Sequence, residues 1–550
     1  MKKPTRRQVL AGGIAVGISK PLDLFAAMEA PSGTFIDLRR EPDLVRAFHD
    51  QGEIALERKS GAWATGDTGL SVQDGIVSLH STTKASRIQL RWRGDLRKAK
   101  LYLGDHWERS YADLEWRSEA PNRVMPWYFL AYDGKATHAY GVQTLPNAFC
   151  FWTADCDGIS LWIDVRSGGV SVELGGRTLQ LCTILCREGK PGETPYQAAS
   201  AFCRQICPAP RLTKQPAYGT NDWDFAYGKN SAELIENVSR LISDLSPDAG
   251  NRPYSVIDDG WSQGGLGHGP WFGNEKFGDM GEMAAKLKKI DVRPGIWFRP
   301  LTVLRDTPQD WRLSREHGCL DPTVPDALDA ISENVRRLRG WGFEMLKHDY
   351  TSWDVMGRWG MTMGSTLTNE GWAFHDRSRT TAEIVIALYR LIREEAGDMA
   401  IIGCNTYGHL SAGLFELSRT GDDTSGVSWD RTRRMGVNTL AFRAAQNRAF
   451  FTVDPDIVAV TRDVPWDLTE RWLRLVSESG SALFVSVEPE AMGAEQKAAL
   501  TKALAQAAKP TPTAEPLDWL ETMCPRSWRL MGKQVDFDWM PPSGSWPFAD

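Results

Sequence analysis

The chain has 550 residues, of which 42% are hydrophobic and 24% are charged. This composition excludes a mainly disordered protein, and at about 150 residues per domain the length suits two or three domains. Lysine and arginine total 64 against 70 aspartate and glutamate residues, a formal net charge of −6. Such a balance gives no electrostatic reason to expect a nucleic acid partner. The 23 tryptophans exceed what a core needs, and they offer flat aromatic faces of the kind on which sugar rings stack.

The first thirty residues predict an export signal. Two lysines and the paired Arg6 and Arg7 precede a weakly apolar run from Leu10 to Ile18, a pattern that resembles a twin-arginine signal peptide. That run is too short to cross a bilayer, and no other segment reaches about eighteen apolar residues, so we expect no membrane span. We therefore expect residues 1–30 to be removed and the mature protein to be periplasmic or secreted.

The nine cysteines are an odd number, with no Cys-x-x-Cys pair and no histidine at ligand spacing. This pattern predicts neither a zinc site nor a disulfide framework, and it favours buried free thiols. Pairing of Cys182 with Cys186, or of Cys203 with Cys207, stays open at this stage. We expect no metal and no other cofactor. The sequence leaves the oligomeric state undecided.

Two patterns of periodicity divide the chain. Residues 31–212 contain short alternating strands such as Ala85–Arg93 and Ile159–Val165, which predict an N-terminal antiparallel β-sandwich domain. A proline-rich linker at Pro208–Pro210 follows. Residues 213–508 then alternate strands with amphipathic helices, and eight βα units in about 290 residues predict a (β/α)8 TIM barrel.

The predicted barrel strands begin near Ala217, Tyr254, Arg293, Phe343, Ala400, Glu416, Phe450 and Ser481. A doubly wound open sheet is the rival fold, but no Gly-x-Gly-x-x-Gly follows the first strand, which weakens it. Residues 509–550 carry four tryptophans and are too few for another sandwich. We expect this C-terminal tail to pack on the barrel.

Acidic side chains follow most of the predicted barrel strands. A buried strand tolerates charge only where it opens into a pocket, although a single aspartate there also suits a helix N-cap. Active sites of such barrels are built at the carboxyl ends of the strands. The candidates are Asp222, Asp258, Asp259, Asp349, Asp422, Asp423, Asp454 and Asp456.

Two carboxylates that face each other across a barrel mouth are the machinery of glycoside hydrolysis. Asp349 suits the nucleophile, because Lys347 lies on the same face of its strand and would help to keep it ionised. Asp423 suits the acid/base, a role that needs surroundings which raise its pKa.

Six motifs, in this order along the barrel, carry a resemblance to a known family: Tyr-Gly-Thr-Asn-Asp-Trp (218–223), Ile-Asp-Asp-Gly-Trp (257–261), Pro-Gly-Ile-Trp-Phe-Arg-Pro (294–300), Lys-His-Asp-Tyr (347–350), Gly-Cys-Asn (403–405) and Arg-Thr-Gly-Asp-Asp-Thr (419–424). The ordered set resembles glycoside hydrolase family 36, with kinship to family 27, the α-galactosidase families of clan D. The resemblance implies a retaining exo-glycoside hydrolase that releases terminal α-galactosyl residues by a double displacement on two aspartates.

The resemblance also implies roles for individual residues. It makes Asp349 the nucleophile and Asp423 the acid/base, with Asp422 as the near competitor of Asp423. Contacts with the sugar are implied for Asp258 and Asp259 at O4 and O6, Lys347 at the 3- and 4-hydroxyls, Arg419 at the 2-position, Trp223, Trp261 and Trp297 as pocket walls, and Cys404 and Asp456 as further pocket residues. For each tryptophan, packing in the core is an equal alternative.

Three features depart from the family pattern. His348 and Tyr350 flank the nucleophile, the loop from Thr351 to Asp376 is long, and the C-terminal β-sandwich is cut short. The long loop either builds a subsite for the leaving group or simply covers the barrel. The sugar is therefore less secure than the chemistry, and α-N-acetylgalactosaminidase, β-L-arabinopyranosidase and galactosyl transfer stay open.

Two alternatives come from other functional classes. A metal-dependent hydrolase would use Asp258, Asp259, His268 and Asp349 as ligands, and it requires a histidine in the pocket. Of the nine histidines, we place only three near strand ends, namely His268, His348 and His409. A non-catalytic sugar-binding protein is the other alternative, and two intact carboxylates argue against it.

Overall fold

A computed structural model describes residues 35–59, 61–247, 250–315 and 318–546. The signal peptide predicted at residues 1–30 lies outside the described residues. Within the described ranges, no helix combines the length and the apolar character needed to cross a membrane.

The described part of the N-terminal region folds into two antiparallel sheets. In chain order its strands are β1 (Leu44–His49), β2 (Gly52–Ala55), β3 (Glu57–Lys59), β4 (Ala62–Thr65), β5 (Thr68–Gln73), β6 (Ile76–His80), β7 (Ala85–Arg93), β8 (Leu101–Gly104), β9 (Met125–Pro126), β10 (Tyr128–Tyr132), β11 (Thr137–Val142), β12 (Phe149–Asp155), β13 (Gly158–Asp164) and β14 (Thr178–Arg187). One sheet has the order β2-β1-β7-β13-β12-β9, and the other has the order β3-β4-β5-β6-β14-β11-β10-β8.

Alternation of apolar side chains explains this pairing. Ile88, Leu90 and Trp92 occupy every second position of β7 and are fully buried, because successive side chains of a strand point to opposite faces of the sheet. Trp92 packs on Trp152 of β12, with ring centroids 6.5 Å apart. Helix α1 (Pro195–Ile206) follows the last strand and leads into the linker. The predicted β-sandwich is confirmed.

The barrel is formed by the strands β15 (Tyr218–Asn221), β16 (Tyr254–Ile257), β17 (Arg293–Phe298), β18 (Met345–His348), β19 (Ala400–Gly403), β20 (Leu417–Arg419), β21 (Thr452–Asp454), β22 (Ile457–Val460) and β23 (Leu483–Val487). All neighbours pair in parallel, in the order β21-β20-β19-β18-β17-β16-β15-β23-β22. The two end strands of this order, β21 and β22, are separated in sequence by Pro455 and Asp456 alone, and Asp456 has a left-handed φ of +70°. They are two halves of one barrel strand. The sheet therefore closes into a barrel of eight strands, and the predicted (β/α)8 barrel is confirmed.

Helices connect these strands. They are α2 (Trp223–Ala226), α3 (Ala232–Leu245), α4 (Met280–Lys289), α5 (Pro325–Gly340), α6 (Thr351–Met356), α7 (Thr381–Ala396), α8 (Gly408–Ser411), α9 (Trp429–Thr432), α10 (Thr439–Arg443), α11 (Trp466–Glu478) and α12 (Ala494–Ala507). A π-helical segment, Arg433–Asn438, joins α9 to α10. Ser231 caps the N-terminus of α3, since its Oγ accepts a hydrogen bond of 3.3 Å from the amide of Leu234.

The C-terminal tail forms a small antiparallel sheet of β24 (Glu515–Pro516), β25 (Ser527–Leu530) and β26 (Lys533–Asp536). Trp519, Trp528 and Trp539 are buried. Trp519 packs edge-on against Trp116 of the N-terminal region, with centroids 5.5 Å apart. Trp429 of α9 donates a hydrogen bond of 2.8 Å to the carbonyl of Trp539. The tail therefore contacts both the barrel and the β domain, while Trp546 is 59% exposed.

Candidate active site

A cavity of about 250 Å³ opens among the carboxyl ends of the barrel strands. Its lining residues are Arg109, Tyr111, Trp223, Asp258, Asp259, Trp297, Lys347, Asp349, Tyr350, Trp359, Met361, Asp422, Asp423 and Arg431. Eight of the site residues predicted from the sequence are in this lining. Because the carboxyl ends of parallel strands meet at one end of a barrel, residues far apart in sequence converge there.

Asp349 follows the last residue of β18, and two donors hold its carboxylate. The indole Nε1 of Trp297 donates to Oδ2 at 3.0 Å, and the amide of Tyr350 donates to Oδ1 at 2.7 Å. Tyr350 has a φ of +65°, a left-handed conformation that costs a non-glycine residue about 1–3 kcal/mol and occurs at functional sites. The carboxylate is thus fixed in one orientation at the wall of the cavity.

Lys347 pairs with Asp258 and not with Asp349. Its Nζ lies 2.6 Å from Oδ2 of Asp258, and the two side chains are 7% and 3% exposed. The sequence predicts that Lys347 helps to keep Asp349 ionised; the direct partner of its ammonium is Asp258, because the long lysine side chain reaches across to the end of β16. Burial alone would lower the pKa of Lys347, but the charge of Asp258 holds that pKa well above its usual value.

Backbone and amide donors orient the two adjacent aspartates after β16. Asn221 donates to Oδ2 of Asp258 at 2.7 Å. The carboxylate of Asp259 accepts from the amides of Gly260 at 2.8 Å and Gly267 at 2.6 Å. Burial, together with the nearby charge of Asp258, raises the pKa of Asp259 to about 7. These aspartates and Lys347 form a dense polar wall.

Two arginines approach Asp423. Its Oδ1 lies 3.2 Å from Nη2 of Arg419 and 3.3 Å from Nη1 of Arg109. Burial raises the pKa of Asp423, but the charges of Arg109, Arg419 and Lys347 outweigh burial and hold that pKa below its usual range. The acid/base role needs surroundings that raise the pKa of Asp423. The three cations do the opposite, and one of them, Arg109, comes from the β domain.

Asp422, the near competitor of Asp423, has both carboxylate oxygens occupied. Arg109 lies 2.7 Å from its Oδ1, and Arg431 lies 3.0 Å from its Oδ2. The contacts of Asp423 with side chains of the described chain all go through Oδ1, whereas Oδ2 has no partner there. Asp423 therefore has an oxygen left for a ligand, and Asp422 does not.

Four predicted site residues lie behind the cavity wall and do not line it. Arg419 is buried and pairs with Asp456, whose Oδ2 is 2.9 Å away. Cys404 lies beside it, with Sγ 3.3 Å from Nη1 of Arg419. Trp261 packs on Trp271, with centroids 5.8 Å apart. Cys404, Arg419 and Asp456 were expected as pocket residues, and they lie behind the wall instead. For Trp261, packing in the core was one of two open alternatives, and that alternative holds.

Sequence reasoning missed six lining residues: Arg109, Tyr111, Tyr350, Trp359, Met361 and Arg431. Trp359 and Met361 belong to the long loop noted in the sequence, so a signal existed for them, and Tyr350 was noted as a neighbour of the nucleophile. No sequence signal pointed to Arg109, which is 314 positions from Asp423.

Backbone hydrogen bonds and a salt bridge hold the segment around Arg109 against the barrel. The amide of Ser110 donates to the carbonyl of Thr420 at 2.9 Å, and the amide of Asp422 donates to the carbonyl of Ser110 at 2.9 Å. Asp105 pairs with Arg443 at 2.8 Å. These contacts join the β domain to the loop that holds Asp422 and Asp423.

Glu108 is a further anchor of the same segment and is almost completely buried. Its carboxylate accepts hydrogen bonds from Ser352, from Asn405 and from the amide of Gly360. Burial raises the pKa of Glu108. Through Gly360 this anchor also positions the part of the long loop that contains Trp359 and Met361.

The histidines near strand ends lie outside the cavity. His268 is exposed, and its ring is not among the lining residues. His348 is buried beside Thr351, and burial lowers its pKa to about 3. His409 is buried, donates a hydrogen bond of 2.8 Å from Nε2 to the carbonyl of Val142, and stacks on Trp127. In the part of the chain that the structure describes, no group of three or more histidine, cysteine, aspartate or glutamate side chains is arranged to hold a metal ion. The nine cysteines are free thiols.

Comparison with protein-family models and with curated proteins gives no match. Among solved structures, the α-galactosidase TtGalA from Thermus thermophilus, in complex with p-nitrophenyl α-D-galactopyranoside, is similar with a TM-score of 0.60 and 18% identity, over 90% of this chain and 98% of that chain. The family 36 α-galactosidase AgaA from Geobacillus stearothermophilus, in complex with 1-deoxygalactonojirimycin, is similar with a TM-score of 0.58 and 11% identity, over 89% of this chain and 79% of that one. The galactosidase domain of AgaSK has a TM-score of 0.51 and 12% identity, over 84% and 73% of the two chains.

This chain has the fold of the family 36 α-galactosidases. The similarity includes both the β domain and the barrel, since the match to TtGalA spans most of both chains. The identities are low, so the similarity shows the fold and not the chemistry of the cavity.

Proposed function

We propose that the protein is a retaining exo-glycoside hydrolase that releases terminal α-galactosyl residues from oligosaccharides or glycoconjugates. The observation that carries the proposal is the placement of Asp349 and Asp423, from different strands, in the lining of one small cavity. Paired carboxylates at a barrel mouth are what glycoside hydrolysis requires.

In the first step Asp349 attacks the anomeric carbon and the bond to the glycosidic oxygen breaks. Asp423, as the carboxylic acid, gives its proton to that oxygen, and the leaving group departs as an alcohol. A glycosyl ester on Asp349 results. In the second step Asp423, now a carboxylate, takes a proton from water while the water oxygen attacks the anomeric carbon, which releases Asp349 and a sugar of retained configuration.

The fixed carboxylate of Asp349 suits the role of nucleophile. Its two hydrogen bonds, from Trp297 and from the amide of Tyr350, hold one orientation toward the cavity. Correct placement of the attacking atom raises the reaction rate, because less translational and rotational entropy is lost on reaching the transition state.

The polar wall of Asp258, Asp259 and Lys347 suits the hydroxyl groups of a sugar. Charged donors and acceptors in fixed positions distinguish an axial from an equatorial hydroxyl much better than apolar contacts do, because a misplaced hydroxyl leaves a buried charge unpaired. This wall supports selection of a galacto-configured ring.

The size of the cavity supports exo action. At about 250 Å³ it is smaller than the roughly 300 to 1,000 Å³ typical of pockets for drug-sized ligands, and it suits one sugar ring. Tyr111, Trp359 and Met361 add apolar surface to the lining, and Met361 is 58% exposed. We assign this part to the leaving group, which favours the subsite interpretation of the long loop.

The test is hydrolysis of four aryl glycosides by the protein with and without a chelator: an α-galactoside, an α-N-acetylgalactosaminide, a β-L-arabinopyranoside and an α-glucoside. We expect release from the α-galactoside alone, insensitive to the chelator. Preference for another member would replace the sugar named here, and chelator-sensitive release would overturn the two-carboxylate mechanism. Silence on all four would count against the proposed activity.

Two variants test the roles in this mechanism. Asp349→Ala should abolish turnover of every α-galactoside. Asp423→Ala should abolish turnover of a disaccharide, whose leaving group needs a proton, while a p-nitrophenyl substrate still forms the glycosyl ester because its leaving group departs unaided. Near-normal turnover in either variant, with the fold verified by circular dichroism, overturns that residue's assignment.

We also propose that residues 1–30 direct export by the twin-arginine route, on the basis of Arg6, Arg7 and the short apolar run after them. Replacing both arginines by lysine should retain the protein in the cytoplasm of an expressing bacterium. Equal recovery of the double variant and the unchanged chain from the periplasm would overturn this proposal.

A further inference from the structure

Arg109 is a cation from the β domain that reaches the two aspartates after β20. Its Nη2 lies 2.7 Å from Oδ1 of Asp422, and its Nη1 lies 3.3 Å from Oδ1 of Asp423. The side chain is 7% exposed, and the guanidinium also lies over the ring of Trp359 at 5.7 Å. One guanidinium therefore bridges the two neighbouring carboxylates and lines the cavity.

From this bridge we infer that Arg109 is a positioning residue, supplied by the β domain, that orients Asp423 and favours its carboxylate form in the second step of the reaction. The inference rests on the proposed function, because it assigns Asp423 the acid/base role. It makes the β domain a part of the active site.

The segment that delivers Arg109 is rigid enough for such a role. Ser110 exchanges backbone hydrogen bonds with Thr420 and Asp422 on the barrel side, each of 2.9 Å. Glu108, on the other side of Arg109, is buried and hydrogen-bonded to Ser352 and Asn405. A guanidinium held from both sides keeps a fixed position relative to Asp423, which is what a positioning residue requires.

Charged side chains from the β domain and from several barrel elements surround Asp423. The cations are Arg109 from the β domain, Arg419 from β20, Lys347 from β18 and Arg431 from α9. The acidic groups near Asp423 and its cations are three carboxylates and one phenol, namely Asp422, Asp224, Asp456 and Tyr350. Among these cations, Arg109 lowers the pKa of Asp423 most, which agrees with the bridging geometry.

The two steps make opposite demands on Asp423. The first step needs the proton on Asp423, and the second step needs the carboxylate. An arginine next to an aspartate lowers the pKa of that aspartate by about 1 to 3 units. Arg109 therefore favours the second step and restricts the first step to lower pH.

The test compares Arg109→Gln with the unchanged protein in the pH dependence of kcat/KM for an α-galactosyl disaccharide. The high-pH fall of kcat/KM reports the acid form of Asp423 in the free enzyme. Because removal of the cation raises the pKa of Asp423, this fall should move to higher pH by about one unit or more. Arg109→Lys keeps a charge and should lie between the two.

Asp105→Asn is the matched control. It breaks the pair of the same segment with Arg443 but leaves the cation beside Asp423 in place. We expect its pH profile to equal that of the unchanged protein. An equal shift in Asp105→Asn and Arg109→Gln would mean that docking of the segment matters and the charge of Arg109 does not, which overturns the inference.

A second measurement separates this inference from the proposed activity. Carbon-13 NMR of protein labelled at the aspartate carboxyl carbons follows the titration of Asp423 directly, with its signal identified by its loss in Asp423→Asn. The midpoint should rise in Arg109→Gln whether or not any galactoside is cleaved. An unchanged midpoint in a folded Arg109→Gln protein overturns the inference, whereas inactivity of the unchanged protein overturns only the proposed function.

Discussion

The indole Nε1 of Trp297 donates a hydrogen bond of 3.0 Å to Oδ2 of Asp349. The two residues belong to neighbouring parallel strands or their ends, since β17 and β18 pair with Trp297 opposite Lys347. Trp261 supports this arrangement from behind by donating a hydrogen bond of 3.0 Å to the carbonyl of Trp297. The tryptophan thus serves both as a wall of the cavity and as a donor to the proposed nucleophile.

Trp297→Phe should lower kcat/KM on an α-galactoside by about tenfold, because it keeps the aromatic wall but removes a hydrogen bond to a charged group. The measurement is steady-state kinetics beside thermal unfolding. Trp271→Phe is a control, since this residue packs on Trp297 with centroids 5.8 Å apart but does not contact Asp349 in the described structure. A loss of the same size in both variants would assign the effect to packing.

Lys347→Met should destabilise the protein by about 3 to 5 kcal/mol, because it leaves the buried carboxylate of Asp258 without its cation. Urea unfolding measures this change. The double variant Lys347→Met with Asp258→Asn should regain a large part of the stability, since no charge is then left unpaired, yet remain inactive. If the double variant were no more stable than Lys347→Met, the pair would not be the cause of the loss.

Trp359→Ala and Met361→Ala should raise KM for α-galactosides with large leaving groups and leave α-galactosyl fluoride almost unaffected. The reason is that both side chains line the cavity and belong to the long loop that we assign to the leaving group. We expect KM to rise by up to about tenfold when an apolar contact of this kind is lost. Equal losses on both substrates would mean that the loop only covers the barrel.

Stability should fall between about pH 4 and pH 7 in part because of Asp259. Its pKa is raised to about 7 in the folded protein, whereas the unfolded value is near 3.9. In this interval the folded state holds the proton and the unfolded state releases it, so the free energy of unfolding decreases as pH rises. Asp259→Asn removes this slope and should gain roughly 3 kcal/mol between pH 4 and pH 7 relative to the unchanged protein.

Urea unfolding at several pH values measures this difference. Asp291→Asn is the control, because the carboxylate of Asp291 is 71% exposed and its removal should leave the slope as it is. Parallel pH curves for Asp259→Asn and the unchanged protein would contradict the raised pKa.

The sequence predicted the architecture because its signals are local. Period-two alternation marks β7, helical spacing marks helices such as α3, and strands that end in aspartates mark the barrel mouth. The predicted starts of the barrel strands lie within two positions of those observed. The split of one strand at Asp456 was not predicted, since it depends on a single left-handed residue.

The sequence did not predict what depends on contacts between the two domains. In the sequence, nothing distinguishes Glu108 and Arg109 from other charged residues of the β domain. Their contacts with Asn405 and Asp423 form only when the two domains pack together. The acid/base role of Asp423 needs surroundings that raise its pKa, and Arg109 of the β domain is one of the cations that lower it instead. Burial of Trp261 away from the cavity was one of two open alternatives, and only packing decides between them.

The configuration of the first sugar released from an α-galactoside tests the central claim most directly. Proton NMR recorded during the first minutes of hydrolysis distinguishes the two anomers before they equilibrate. A double displacement through Asp349 predicts α-galactose as the first product, with β-galactose appearing later by mutarotation. β-Galactose as the first product would contradict the glycosyl ester on Asp349, and the roles of Asp349 and Asp423 would have to be reassigned.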